Sequence, residues 1–268
     1  MAKLKIGIIG CAGRMGRMLI RATLLSKECQ LVAGSERKGS PFIGKDMGML
    51  AEGEKTSALV TADSDAVFAA ADAVIDFTAP ESTVECAKLA AKYKKIHVIG
   101  TTGLSKAQLE SIEASAKKAP IFMASNMSVG VSMLSTILEK VAAELPADNW
   151  DIEVIEMHHR NKVDAPSGTA LTLGKAAAKG RKTTLDKSGV YERYGQTGAR
   201  KNGTIGFATL RGGDVVGEHT VMFTSTFGER IEFTHKATDR AIFAHGAVRY
   251  ALLMADKKAG LYGPDDIL

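Results

Sequence analysis

At 268 residues, 45% hydrophobic and 24% charged, the chain is long enough to bury a large core and reads as two domains. No apolar run approaches the roughly 20 residues that cross a bilayer, and Met1-Ala2-Lys3-Leu4-Lys5 lacks a secretory h-region, so a cytoplasmic protein with no membrane partner is expected. The formal net charge of +5 comes from scattered lysines and arginines with no basic stripe interleaved with aromatics, which argues against nucleic acid and suits anionic small molecules.

In chain order, Lys5 to Ile9 reads as a short buried strand, glycines follow, and from Arg14 the apolar positions Met15, Met18, Leu19 and Ala22 take helical spacing. Gln30 to Ala33 is a second strand. Ala73-Val74-Ile75, His97-Val98-Ile99 and Ile121-Phe122-Met123 then alternate with helical stretches from Ser82 to Lys94 and from Ser105 to Lys118, where Ser105 and Gln108 have capping-box spacing. Strands alternating with helices imply parallel pairing and right-handed crossovers, hence an open, doubly wound, Rossmann-like sheet. After Asn126 the pattern changes. Gly130 to Leu145 reads as one helix, another starts at Ser167, and Lys182 to Gly203 reads as a long surface loop. Thr204 to Leu210, Val215 to Thr226 and Glu229 to Thr234 read as strands joined into antiparallel hairpins at Gly212-Gly213-Asp214 and Gly228, the mark of a second, α+β domain. A last helix from Arg240 to Ala259, capped by Gly260, is expected to pack back onto the first domain.

Gly10, Gly13 and Gly16 in "GIIGCAGRMG" stand between the first strand and the first helix, where a tight turn brings backbone close to a pyrophosphate at a helix N-terminus. Glu36 lies beyond the second strand, placed to accept from the hydroxyls of an adenine ribose, and Arg37 follows it, placed to pair with a 2′-phosphate, so both NADH and NADPH are expected cofactors. Later strand ends carry Phe77-Thr78, Gly100-Thr101-Thr102 and Ala124-Ser125-Asn126-Met127, which are placed to line the nicotinamide half.

The stretch "EMHHRNKVDAPSGTA", Glu156 to Ala170, crowds proton donors into one segment. His158 or His159, with an ordinary pKa near ~6.5, can exchange a proton at neutral pH, and Lys162 adds a cation. A metal site is disfavoured: adjacent residues of an extended chain point to opposite sides, no third ligand has convincing spacing, and Cys11, Cys29 and Cys86 form no C-x-x-C pair. A hydrolase built on Ser167, a histidine and Asp164 is disfavoured too, since the G-x-S-x-G elbow is missing and Ser167 reads as a helix N-cap. Gly168 and Thr169 in that helix's first turn are suited to clasp a carboxylate. Donors, a cation and an anion cradle together fit hydride transfer to an anionic, conjugated acceptor better than a nucleotide sensor without catalysis.

The same stretch resembles the signature E-x-H-H-x-x-K-x-D-A-P-S-G-T-A of the dihydrodipicolinate reductases. "GTIGFATLRGGDVVGEH", "GCAGRMG", "VIDFT", "VIGTTG", "NMSVG" and "FAHGAVRYAL" correspond in order over essentially the whole chain. The resemblance implies reduction of the dihydrodipicolinate-type intermediate, described as 4-hydroxy-tetrahydrodipicolinate, in the diaminopimelate route to lysine, with NADH or NADPH. It implies a dinucleotide-binding Rossmann domain over 1–127 and 240–268, and over 128–239 a substrate-binding and oligomerisation domain with a mixed, mainly antiparallel open sheet. By the same resemblance His158 is the catalytic proton donor/acceptor and Lys162 the second catalytic proton donor, while His159, Gly168 and Thr169 contact a small dicarboxylate substrate. Gly10, Cys11, Ala12, Gly13, Arg14, Met15, Glu36, Arg37, Gly100, Thr101, Thr102, Ala124, Ser125, Asn126 and Met127 hold the cofactor, with Met127 standing where many relatives carry Phe. It also implies a homotetramer assembled through the second domain's sheet.

Overall fold

A computed structural model describes residues 2–267. The chain divides into two compact units, Met1–Ser128 with Ala241–Leu268, and Val129–Arg240. The first contains β1 (Leu4–Ile9), α1 (Arg14–Leu25), β2 (Cys29–Ser35), α2 (Met47–Leu50), β3 (Val60–Thr61), α3 (Ser64–Ala70), β4 (Ala73–Asp76), α4 (Pro80–Tyr93), β5 (Ile96–Ile99), α5 (Lys106–Ala116) and β6 (Pro120–Met123). The second contains α6 (Val129–Glu144), β7 (Trp150–His158), α7 (Gly168–Gly180), α8 (Leu185–Ser188), β8 (Gly189–Val190), β9 (Ile205–Arg211), β10 (Gly217–Ser225) and β11 (Arg230–Ala237). The chain then returns to the first unit with α9 (Ala241–Leu253) and β12 (Gly260–Tyr262). Among the described residues no helix is long and apolar enough to cross a membrane.

The first sheet runs β12-β6-β5-β4-β1-β2-β3 and all its ladders are parallel. Short strands buried on both faces, such as Ala73–Asp76 and Ile96–Ile99, are what a sheet covered by helices on each side requires. The chain builds outward from β1 through β2 and β3, then returns to place β4 on the other side of β1. The switch point, where such sheets bind ligands, therefore lies between the carboxyl ends of β1 and β4.

The second sheet runs β11-β10-β7-β9-β8 and is mixed, its two antiparallel ladders being the longer ones. α6 and α7 cover one face, burying Leu134, Leu138, Leu173 and Ala177 against Ile152, Val154, Phe207, Val221 and Phe223.

Three local expectations are corrected. Gly212-Gly213-Asp214 does not close an antiparallel hairpin, because β7 lies between β9 and β10, parallel to the one and antiparallel to the other. The connection instead wraps the end of β7: Gly212 N–H donates to His158 O at 3.0 Å, His159 N–H to Val215 O at 2.8 Å and Arg160 N–H to Gly213 O at 3.1 Å. Residues 182–203 are not a featureless loop, since α8 and β8 lie within them and Arg200 ties the rest down through Asp151, Glu153 and the carbonyls of Ile152 and Thr204. The last helix stops at Leu253, and Gly260 opens a strand paired with β6 instead of capping a helix. Edge pairing outweighs the continued helical spacing at Ala255.

Candidate active site

In the first unit, Gly10 takes a left-handed φ of 69°, and a Cβ there would meet Thr78 at 2.8 Å, so the loop after β1 lies against the turn after β4. A Cβ on Gly16 would lie 2.2 Å from Gly10 O and 2.6 Å from the Cys11 backbone, which lets α1 start directly over the loop. Gly13 caps α1 without a side-chain bond, and the first turn holds no acidic residue. Its N–H groups at Arg14 and Met15 therefore present the positive end of the helix outward.

The Glu36 carboxylate accepts from Ala12 N–H at 2.9 Å, tying the second strand's end to the glycine loop. With Ala12, Gly13, Arg37, Lys38, Ser40 and Phe42 it lines an open groove of about 640 Å³. A donor-rich helix end beside an acid and exposed cations fits a dinucleotide.

The remaining predicted residues of this unit follow neighbouring strands. Gly100-Thr101-Thr102 succeeds β5 and Ala124-Ser125-Asn126-Met127 succeeds β6. Thr101 Oγ1 accepts from Thr78 N–H at 3.0 Å and from the Thr83 hydroxyl at 2.8 Å, joining the β4 and β5 turns. Asp76, fully buried, holds the same turn by accepting from the Thr78 N–H and hydroxyl at 3.0 and 2.6 Å. Burial alone would raise the Asp76 pKa, but His97, 3.5 Å away, and the threonine hydroxyls hold it below the usual range. The side chains of Cys11 and Met127 are in the core, Met127 only 1% exposed, and Cys11 N–H already donates to Ser35 O at 3.2 Å. These two shape the loops from beneath.

In the second unit the catalytic candidates share the end of β7 and the segment after it. The strand's inward series is Ile152, Val154, Glu156 and His158, so the register that builds the core also buries a carboxylate and an imidazole at its end. His158 Nδ1 is 2.6 Å from Glu156 Oε2, and its ring meets that of His219 edge-on at 5.0 Å between centroids. Burial, the largest influence, pushes the His158 pKa below its usual value against the upward pull of Glu156. His219 is pushed down to about 4 by burial and by neighbouring His158.

Lys162 Nζ donates to both oxygens of Asp164, at 2.7 and 2.9 Å, and that ammonium holds the Asp164 pKa below the carboxylate range. His159 is half-buried, with Arg240 Nη2 3.4 Å from its Nε2. Ser167 caps α7 by accepting from Ala170 N–H at 3.1 Å. Gly168 is exposed with open space around its Cα, and Thr169 follows it in the first turn.

Ser167 Oγ lies 2.9 Å from His219 Nε2, a serine–histidine contact, but Nδ1 of His219 has no hydrogen-bond partner among the described residues. The carboxylate that completes a hydrolytic triad is missing. Nor, among the described residues, does any group of three His, Cys, Asp or Glu side chains match a metal site.

Sequence reasoning gave no role to Glu156, Arg211 or His219, because the latter two lie far along the chain. The signal was available in β7: alternation from Ile152 and Val154 puts Glu156 on the buried face, and a buried carboxylate calls for a cation.

Rossmann topology, a donor-rich glycine loop at the switch point and a second unit with a segment of two histidines and a lysine fit an oxidoreductase of the two-unit, nucleotide-dependent class. The chain belongs to the dihydrodipicolinate reductase family: residues 4–127 match the family's "Dihydrodipicolinate reductase, N-terminus" and residues 130–268 its "Dihydrodipicolinate reductase, C-terminus". It is 52% identical over 263 residues to a 4-hydroxy-tetrahydrodipicolinate reductase of Cereibacter sphaeroides, covering 98% of this chain and 97% of the relative. To the protein of that description from Agrobacterium fabrum it is 49% identical over 265 residues, covering 99% and 96%. A solved dipicolinate-bound dihydrodipicolinate reductase from Paenisporosarcina sp. TG-14 superposes with a TM-score of 0.76 at 23% identity, covering 97% of each chain, and shares the fold.

Proposed function

We propose that the protein is a 4-hydroxy-tetrahydrodipicolinate reductase, forming tetrahydrodipicolinate in the diaminopimelate route to lysine with either NADH or NADPH. Family membership over both halves of the chain carries the reading, and the loop holding His158, Lys162 and the start of α7 gives it chemistry. A bound nicotinamide supplies the hydride.

The chain supplies the proton and the grip. Lys162, an ammonium paired with a half-exposed Asp164, gives up that partner to the substrate and donates the proton as negative charge develops. His158, its pKa lowered, is mainly neutral at pH 7 and becomes a second donor as the pH falls. The N–H groups of Gly168 and Thr169 at the positive end of α7 hold one carboxylate, and His159, beside the Arg240 cation, holds the other end of the dianion.

Gly10 to Met15 hold the pyrophosphate, Glu36 and Arg37 the adenosine end, and Gly100 to Thr102 with Ala124 to Met127 the nicotinamide end. In this reading the first unit is the dinucleotide-binding domain, and the second binds substrate and joins four copies through its sheet in the cytoplasm.

Glu36→Ala is expected to raise the Kd for NADH by about 10–100-fold, the worth of hydrogen bonds to a charged group, and the Kd for NADPH less, since Arg37 still meets the 2′-phosphate. Fluorescence titration checks this. Equal losses for the two cofactors would remove Glu36 from the ribose. The function itself is tested by following NAD(P)H consumption with freshly generated substrate.

A further inference from the structure

Glu156 is 1% exposed, and a carboxylate at that depth requires compensation on every side. It has it. Oε2 faces His158 Nδ1 at 2.6 Å, Oε1 accepts from Ser167 N–H at 3.0 Å, and Arg211 grips both oxygens, Nη1 to Oε2 at 2.8 Å and Nη2 to Oε1 at 2.9 Å. Arg211 Nη2 also donates to the Asp164 carbonyl at 2.6 Å. One carboxylate thus touches both ends of the loop that carries Lys162, the imidazole at its start and the cap of α7 at its finish, while its counter-ion holds the middle.

The geometry points to Glu156 and Arg211 as positioning residues of the reductase: together they fix His158 with Nδ1 protonated, so that Nε2 is the nitrogen that exchanges protons, and they set Lys162 and the first turn of α7 in place around it. The inference rests on the reading of His158 and Lys162 as proton donors and adds the device that aligns them. Arg211, in the fork geometry that matches a carboxylate, holds Glu156 ionised despite burial, and an ionised Glu156 accepts and cannot donate, which leaves the proton on Nδ1.

A second observation agrees. A Cβ on Gly217 would lie 2.9 Å from His158 Nε2, so the glycine keeps a side chain off the exchanging nitrogen. Stability alone is a poor account of the pair, since buried ion pairs of this kind add little net stability over an apolar replacement.

The test uses the full-length protein with Glu156→Gln, Arg211→Lys and Gly217→Ala, and two kinds of readout. Nitrogen-15 NMR of the histidine rings, with no substrate present, reports the His158 tautomer. It should be Nδ1-protonated in the wild type and shift toward Nε2-protonated in Glu156→Gln, whose amide can turn a donor to the ring.

In kinetics, Glu156→Gln should lose at least about tenfold in kcat and up to about 10⁴, the loss when the carboxylate that orients a catalytic histidine becomes an amide, with unchanged NADH affinity. The kcat limb that His158 contributes should move to lower pH, because the carboxylate that raised the imidazole pKa is gone. Arg211→Lys, which keeps the charge and loses the fork, should lose less, and it carries the test if the glutamine variant does not fold. Gly217→Ala should lower kcat without changing the tautomer.

Wild-type kcat, pH profile and tautomer in Glu156→Gln would overturn the proposal, as would a loss of kcat matched by an equal loss of NADH affinity. A wild-type protein that does not reduce the substrate would defeat the functional reading instead, and the NMR would still decide the role of Glu156.

Discussion

Lys162→Ala should lower kcat by roughly 10²–10⁴, the range for removing a positioned proton donor, with little change in NADH affinity or thermal stability. The structure separates these effects. The Lys162 side chain is 20% exposed but its partner Asp164 is 55% exposed, so water solvates the carboxylate left behind and the loss of this part-exposed pair costs little in folding. His158→Ala is a less clean comparison, because it empties a buried site and takes one of the groups bonded to Glu156.

The two variants should also differ in pH dependence. Burial lowers the His158 pKa, so the ring takes up a proton to donate at a lower pH than an ordinary histidine does. The ratio of wild-type to His158→Ala turnover should therefore grow as the pH falls, and steady-state kinetics at several pH values would measure it. Near-normal turnover in both variants would remove this loop from the chemistry.

The second large effect is expected at Gly16. Its Cβ would lie 2.2 Å from a carbonyl oxygen and 2.6 Å from two backbone carbons, atoms that cannot move aside as a flexible side chain does. Gly16→Ala should push α1 off the glycine loop, costing about 1–3 kcal/mol of stability as other overpacked sites do. Its NADH Kd should rise tenfold or more, a loss of about 1.4 kcal/mol. Gly13→Ala is the control: its Cβ would meet a single atom, Gly10 O, at 3.3 Å, and it should cost far less. Equal losses in the two variants would contradict the close-approach account.

What could be read in the sequence is local chemistry. The glycine loop and α1 are legible because turn, close approach and helix start lie within a few residues of one another, and the Ser105–Gln108 capping box and the Ser167 cap are legible for the same reason. The order of the second sheet was not. Whether β9 pairs with β10 or with β7 is decided by burying Ile152 and Val154 between the two, and hairpin spacing at Gly212-Gly213-Asp214 carries no information about that.

β12 was missed because a three-residue edge strand has almost no pattern of its own and takes its conformation from β6. Likewise His158 and Lys162 are in the quoted motif, but Arg211 and His219 reach them only through strand pairing: Arg211 sits opposite His158 in the β7–β9 ladder, and His219 opposite Glu156 in the β7–β10 ladder.

The central claim is that this chain reduces 4-hydroxy-tetrahydrodipicolinate with a hydride from NADH or NADPH and a proton from the loop after β7. Its most direct test is nucleotide consumption with freshly generated substrate, in the wild type and in the Lys162→Ala, His158→Ala double variant. The wild type should consume nucleotide only when substrate is present and yield tetrahydrodipicolinate, and the double variant should still bind NADH but scarcely turn over. A wild type that binds NADH and leaves it unconsumed, or a double variant that turns over at the wild-type rate, would contradict the account.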